Sequence, residues 1–108
     1  MTLEDHLKPS ENVQFKSDAK VKHGDSDYSV VVTNDRFILW AERGLIRSKD
    51  DILTWNLGNI LRTEFKENGL LRKKGTFRLE TEHDTVIELK SGANDMKTIY
   101  QSCMQFIE

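Results

Sequence analysis

The chain has 108 residues, 37% hydrophobic and 31% charged, with one proline and six glycines; this is a folded profile sized for one domain with one core, and it argues against extended disorder. Sixteen basic and 18 acidic residues give a formal net charge of −2, without the basic excess that phosphate contacts demand, so nucleic acid is not an expected partner. The single Cys103 excludes an internal disulfide framework, no CxxC or CxxH pair offers a zinc site, and no apolar run approaches the ~18–20 residues that span a bilayer.

The opening stretch, Met1 to His6, lacks the positive region and apolar run of a signal peptide, which gives the expectation of an intracellular, cytoplasmic chain. Leu3 and Leu7 stand four apart before Pro9 and Ser10, and residues 1–10 read as a flexible N-terminal arm ahead of a domain over residues 11–108. From Asn12 the hydrophobic period becomes two. Val13, Phe15, Ala19 and Val21 alternate with polar residues to about Lys22, with an irregularity expected near Ser17 and Asp18. A turn cluster over residues 23–27 leads to a β-branched second strand, Tyr28–Thr33. Asn34 and Asp35 make a tight connection to a third strand, Arg36–Ala41.

Gly44 and the run from Arg47 to Asp51 mark a loop. A fourth strand is expected over Ile52–Leu57 and a fifth over Ile60–Lys66. Asn68-Gly69 signals a short hairpin, with a longer loop reaching Gly75 as the alternative. Thr76–Thr81 alternates cleanly, with Phe77 and Leu79 facing inward. After a turn at His83-Asp84 comes a seventh strand, Val86–Leu89. Then Met96, Ile99, Tyr100, Cys103, Phe106 and Ile107 fall at helical spacing on one face, capped by Ser91 or Asn94. The reading is mainly β: seven strands, then one helix.

That order is the order of the pleckstrin-homology (PH) superfold. The segment Val32-Thr33-Asn34-Asp35-Arg36-Phe37-Ile38-Leu39-Trp40 resembles the L-T-N-x-R-L-I stretch of GRAM and bacterial PH-like domains. Ile52–Leu57 followed by Ile60 resembles the I-P-L-x-x-I stretch those domains carry next. The Arg36–Trp40 strand is also similar to its counterpart in GLUE domains and in the PH domain of a transcription-factor IIH subunit. The resemblance, over roughly residues 11–107, implies a partly open seven-stranded barrel of two antiparallel sheets with a C-terminal helix across its opening. Inositol-phosphate-binding relatives carry lysine late in the first strand and a basic pair in the second. Lys20 and Lys22 supply the first element here, but Tyr28-Ser29-Val30 supplies no basic residue.

Two sets of residues stand out as contacts. Leu70, Leu71, Arg72, Lys73 and Lys74 combine apolar and basic side chains beside the hairpin, suited to an anionic membrane surface or an acidic partner; three cations at about 1 kcal/mol each give only marginal membrane binding. Lys16, Lys20 and Lys22 share one face of the first strand if it is regular, and Arg43 and Arg47 extend a secondary basic patch with Lys20 and Lys22. A solvated outer face is the ordinary explanation for such charges. Trp40 and Trp55 read as core or sheet-face residues. His6, His23 and His83 are scattered, no phosphate loop or nucleophile elbow appears, and adjacent Asp50 and Asp51 would point to opposite faces if on a strand. The expectation is therefore no enzyme and no cofactor or metal. A protein-binding module is expected, with self-association or a ubiquitin-like partner as sub-cases. A peripheral adaptor on anionic lipid is the alternative.

Overall fold

The computed structural model describes residues 7–24, 26–41, 51–69, 73–82 and 85–107. Among these residues, seven strands and one α-helix follow in chain order: β1 (Val13–His23), β2 (Ser26–Thr33), β3 (Arg36–Ala41), β4 (Asp51–Asn56), β5 (Ile60–Asn68), β6 (Lys74–Thr81), β7 (Val86–Gly92) and α1 (Ala93–Met104). A 3-10 turn, Leu57–Asn59, joins β4 to β5. All strand pairings are antiparallel, and the strands make one hydrogen-bonded sheet in the order β4-β3-β2-β1-β7-β6-β5. The sheet is not closed.

It is strongly curled. β3 and β6 stand four strands apart, about 19 Å in a flat sheet at ~4.8 Å per strand. Yet Phe37 of β3 and Phe77 of β6 meet edge to face with ring centroids 6.5 Å apart. Curling brings the inner faces together around Val21, Val30, Val32, Phe37, Leu39, Phe77, Leu79, Ile87 and Leu89, all buried. The helix adds Met96, Ile99 and Cys103 to this core, and Ile107 beyond its end is also buried. Tyr100 stacks on Phe65 and meets Phe77 edge-on, both at 5.2 Å. Tyr100 and Phe106 are half-buried, so the apolar stripe narrows at its margins.

β2 and β3 are buried on both faces, which explains their near-continuous apolar runs. Val31, Ile38 and Trp40 point away from the main core and form a second cluster, against which Leu7 and Ile52 pack. The chain ahead of β1 reaches this side. Lys8 pairs with Asp35 at 2.7 Å. Glu11, with a side chain 1% exposed, accepts hydrogen bonds from Arg36 Nε and Nη2 at 2.8 and 2.6 Å, from Thr33 Oγ1 at 2.6 Å and from the Lys8 backbone N–H at 3.1 Å. Thr33 Oγ1 in turn accepts from the N–H groups of Asp35 and Arg36. Asn34 Oδ1 accepts from the Asn12 N–H at 2.8 Å. The turn expected from Thr33-Asn34-Asp35 is thus made by Thr33 locally and clamped by Glu11 and Asn12 from outside.

Three expectations need correction. The helix begins after Gly92, with no side-chain cap. Ser91 lies one residue before the N-cap position, at the end of β7 with its hydroxyl donating to the Lys20 carbonyl at 3.2 Å, while Asn94 already lies inside the helix. Gly75 is not in the hairpin loop: Glu67 pairs with Gly75 and Asn68 with Lys74, so the ladder runs further than the residue pattern suggests. Leu57 leaves β4 for the 3-10 turn. The irregularity expected in β1 is present as a register shift between Lys16 and Lys20, where Ser17 Oγ donates to the Ala19 carbonyl and accepts from the Val30 N–H.

Candidate interaction surface

Register across the sheet decides which exposed side chains become neighbours. On the outer face, Lys66 of β5 stands opposite Thr76 of β6, Thr76 opposite Lys90 of β7, and Lys90 opposite Lys22 of β1. One step along the strands on the same face come Lys74 of β6 and Lys20 of β1, opposite Gly92 and Ser29. All of these lysines are exposed. Among the described residues, none of Lys20, Lys22, Lys66, Lys74 and Lys90 makes an ion pair. At ~4.8 Å per strand, Lys22 and Lys66 bracket a stripe about 14 Å wide across four strands.

The next row in the other direction behaves differently. Glu64, Arg78 and Glu88 lie opposite one another. Arg78 bridges Glu64 at 3.8 Å and Glu80 at 3.6 Å. That row is net acidic, whereas among the described residues the lysine rows meet an acid only at their β2 margin, where Asp27 stands opposite Lys22. Lys22 and Lys90 directly opposed raise the free energy of the fold, by roughly 0.2–1 kcal/mol on the scale of cross-strand pairs.

Of the contact residues that the sequence singles out, Lys20, Lys22, Lys73 and Lys74 are described. Lys20, Lys22 and Lys74 join the stripe, and Lys74 is the first residue of β6 rather than part of a loop. Lys73 is exposed, and its carbonyl accepts from the Ala93 N–H. Leu70, Leu71, Arg72, Arg43 and Arg47 lie outside the described residues. Lys66 and Lys90 escape a reading of the sequence, because alternation marks each as exposed but only the pairing of the first strand with the last makes them neighbours of Lys22. Lys16 keeps to the outer face with Lys20 and Lys22, but its ammonium sits over the Trp40 ring, 4.8 Å from the centroid. Trp40 is buried on that outer face and Trp55 is half-buried against the main core.

Beside the stripe, a hollow of about 630 Å³ lies at the start of α1, lined by Glu67, Lys73, Asp95 and Lys97 with residues 92–94. Its two carboxylates and two ammonium groups cancel. Among the described residues, no group of three or more His, Cys, Asp or Glu side chains is placed to hold a metal ion, and no helix is long and apolar enough to cross a membrane. Burial pushes the Cys103 thiol up to about 12. A thiol so far from its thiolate is a poor nucleophile. Native protein at neutral pH is therefore expected to resist alkylation by iodoacetamide, with rapid labelling only after unfolding; fast labelling of the folded chain would show Cys103 to be accessible.

No protein-family model matches the chain, and a search of the curated proteins finds no significant match.

Proposed function

We propose that the chain is a non-catalytic, PH-like interaction module that binds an acidic segment of a protein partner across the lysine stripe. The observation that carries the reading is the directly opposed pair Lys22 and Lys90, extended by Lys66, Lys74 and Lys20, in a molecule of net charge −2. The PH-like reading draws support from the order of elements, the curl that brings Phe37 onto Phe77, and a β1–β7 junction through Lys22 and Lys90. In such a fold the halves on either side of β1 act as two sheets.

A planar anionic membrane is the competing ligand. It would meet the Glu64 and Glu88 row along with the lysines, and among the described residues, which do not include Leu70 and Leu71, the large exposed apolar ones (Val13, Leu61 and Val86) are not in the stripe. A narrow band bordered by carboxylates suits a linear acidic segment better than a plane. The test is titration with a short glutamate- and aspartate-rich peptide. Binding is expected at low salt and should weaken at least about tenfold as salt screens the contact. Reversing Lys22 and Lys90 to glutamate should abolish it. Binding to phosphatidylserine vesicles without binding to the peptide would favour the membrane instead, and binding to neither would remove the stripe from consideration.

A further inference from the structure

Among the described residues, the unclosed sheet leaves two edges, β4 and β5, and they are guarded unequally. β5 carries Arg62, Glu64, Lys66 and Glu67, and its ladder is interrupted between Ile60 and Arg62. Charges and bulges are the ordinary devices that prevent an edge from accepting another strand. β4, with sequence Asp-Ile-Leu-Thr-Trp-Asn, has neither beyond Asp51. Its ladder with β3 is regular over six pairs, and Ile52, Leu53 and Trp55 are only half-buried. Such an uncharged, proline-free run is a template for strand addition.

We propose that β4 pairs antiparallel with β4 of a second copy of this chain, with the twofold axis at Thr54. Opposed residues in an antiparallel ladder share a face, so the axis must pass through a residue and not between two. Leu53 and Trp55 face the core with Leu39 and Phe37, while Ile52, Thr54 and Asn56 face outward with Trp40, Ile38 and Arg36. An axis at Thr54 sets Leu53 against Trp55 of the other copy twice on the inner face. On the outer face it sets Thr54 against itself and Ile52 against Asn56. Asp51 falls outside the paired stretch, and no like charges meet. An axis at Leu53 would set Asp51 against Trp55, and one at Trp55 would run into the 3-10 turn. A six-residue edge is smaller than the ~800 Å² per partner of a standard interface. The dimer is therefore reversible and concentration-dependent. It is independent of the lysine stripe, so either can fail alone.

Sedimentation velocity over a concentration series tests it, together with two cysteine variants. The wild-type chain is expected to shift from monomer towards dimer as concentration rises, and Thr54→Lys, which sets two ammonium groups face to face, should remain monomeric. Thr54 and Asn56 are both exposed, so Thr54→Cys and Asn56→Cys should fold alike, which thermal melts verify. With oxidised glutathione as oxidant, Thr54→Cys is expected to form the intermolecular disulfide at least about tenfold faster than Asn56→Cys, because residue 54 meets its own copy and residue 56 meets residue 52. The buried Cys103 does not compete. A chain that stays monomeric throughout, or equal cross-linking at the two positions, would overturn the proposal.

Discussion

Arg36→Met is expected to destabilise the fold by about 3–5 kcal/mol, the range for stranding one partner of a buried ion pair. The Glu11 carboxylate is covered and accepts four hydrogen bonds, two of them from the Arg36 guanidinium. With the guanidinium gone, a buried negative charge keeps only neutral donors. Replacing both partners, Glu11→Leu with Arg36→Met, should recover most of the loss, since well-packed apolar groups often replace a buried pair at little cost. Urea unfolding with unchanged m-values would measure both steps.

The same carboxylate fixes an acid limit. Hydrogen bonding from Arg36, chiefly, and from Thr33 and the Lys8 backbone outweighs burial and holds the Glu11 pKa down to about 2 from an ordinary 4.5. A depressed carboxylate stabilises the fold when ionised. Its contribution, up to about 3 kcal/mol, is complete above pH 4.5 and is lost as pH falls through about 2. Glu11→Leu with Arg36→Met should flatten this part of the stability profile. If the double variant loses stability over that window as steeply as wild type, the clamp is not its source.

Gly75→Ala is expected to cost about 2–3 kcal/mol through overpacking. Gly75 faces inward from β6 under the first turns of α1. An added methyl would lie 2.6 Å from Met96 Cβ, 3.0 Å from its Cγ and 3.1 Å from Phe65 Cε1. Met96 Cβ is fixed to the helix backbone, so a rotamer change does not relieve the clash and the helix must lift. Lifting it also disturbs the Phe65–Tyr100 stack and the contact between Thr63 Oγ1 and Met104 Sδ. Gly58→Ala is the control. Nothing lies within 4 Å of its added methyl, so its melting temperature should be near wild type. If the two variants melt alike, the helix is less closely seated on β6.

What the sequence discloses follows from the range of each signal. Strand signals are local, alternation in most strands and β-branched or continuous apolar runs in β2 and β3, so all seven strands are legible, and even the β1 irregularity shows as a break in period near Ser17. The helix start is not, because Ser91, a good cap by composition, is kept in β7, which pairs with β6 as far as Gly92 before the helix begins at Ala93. Gly75 looks like a loop glycine because no sequence pattern shows Met96 lying against it. The Glu11 clamp is invisible for the same reason: an acid between Ser10 and Asn12 resembles a surface residue until β2 and β3 are in place. The stripe is half-legible. Alternation puts Lys20 and Lys22 on one face, but Lys66 and Lys90 need the register of β5, β6, β7 and β1.

The opposed pair Lys22 and Lys90 offers the most direct test of that stripe, because stability and binding should move in opposite directions. In Lys90→Glu a carboxylate would face Lys22, and an attractive cross-strand pair would replace a repulsive one. The variant is expected to be more stable by up to about 1 kcal/mol, while its affinity for the acidic peptide falls at least about tenfold. A folded Lys90→Glu variant that binds the peptide as tightly as wild type would contradict the binding role of the stripe.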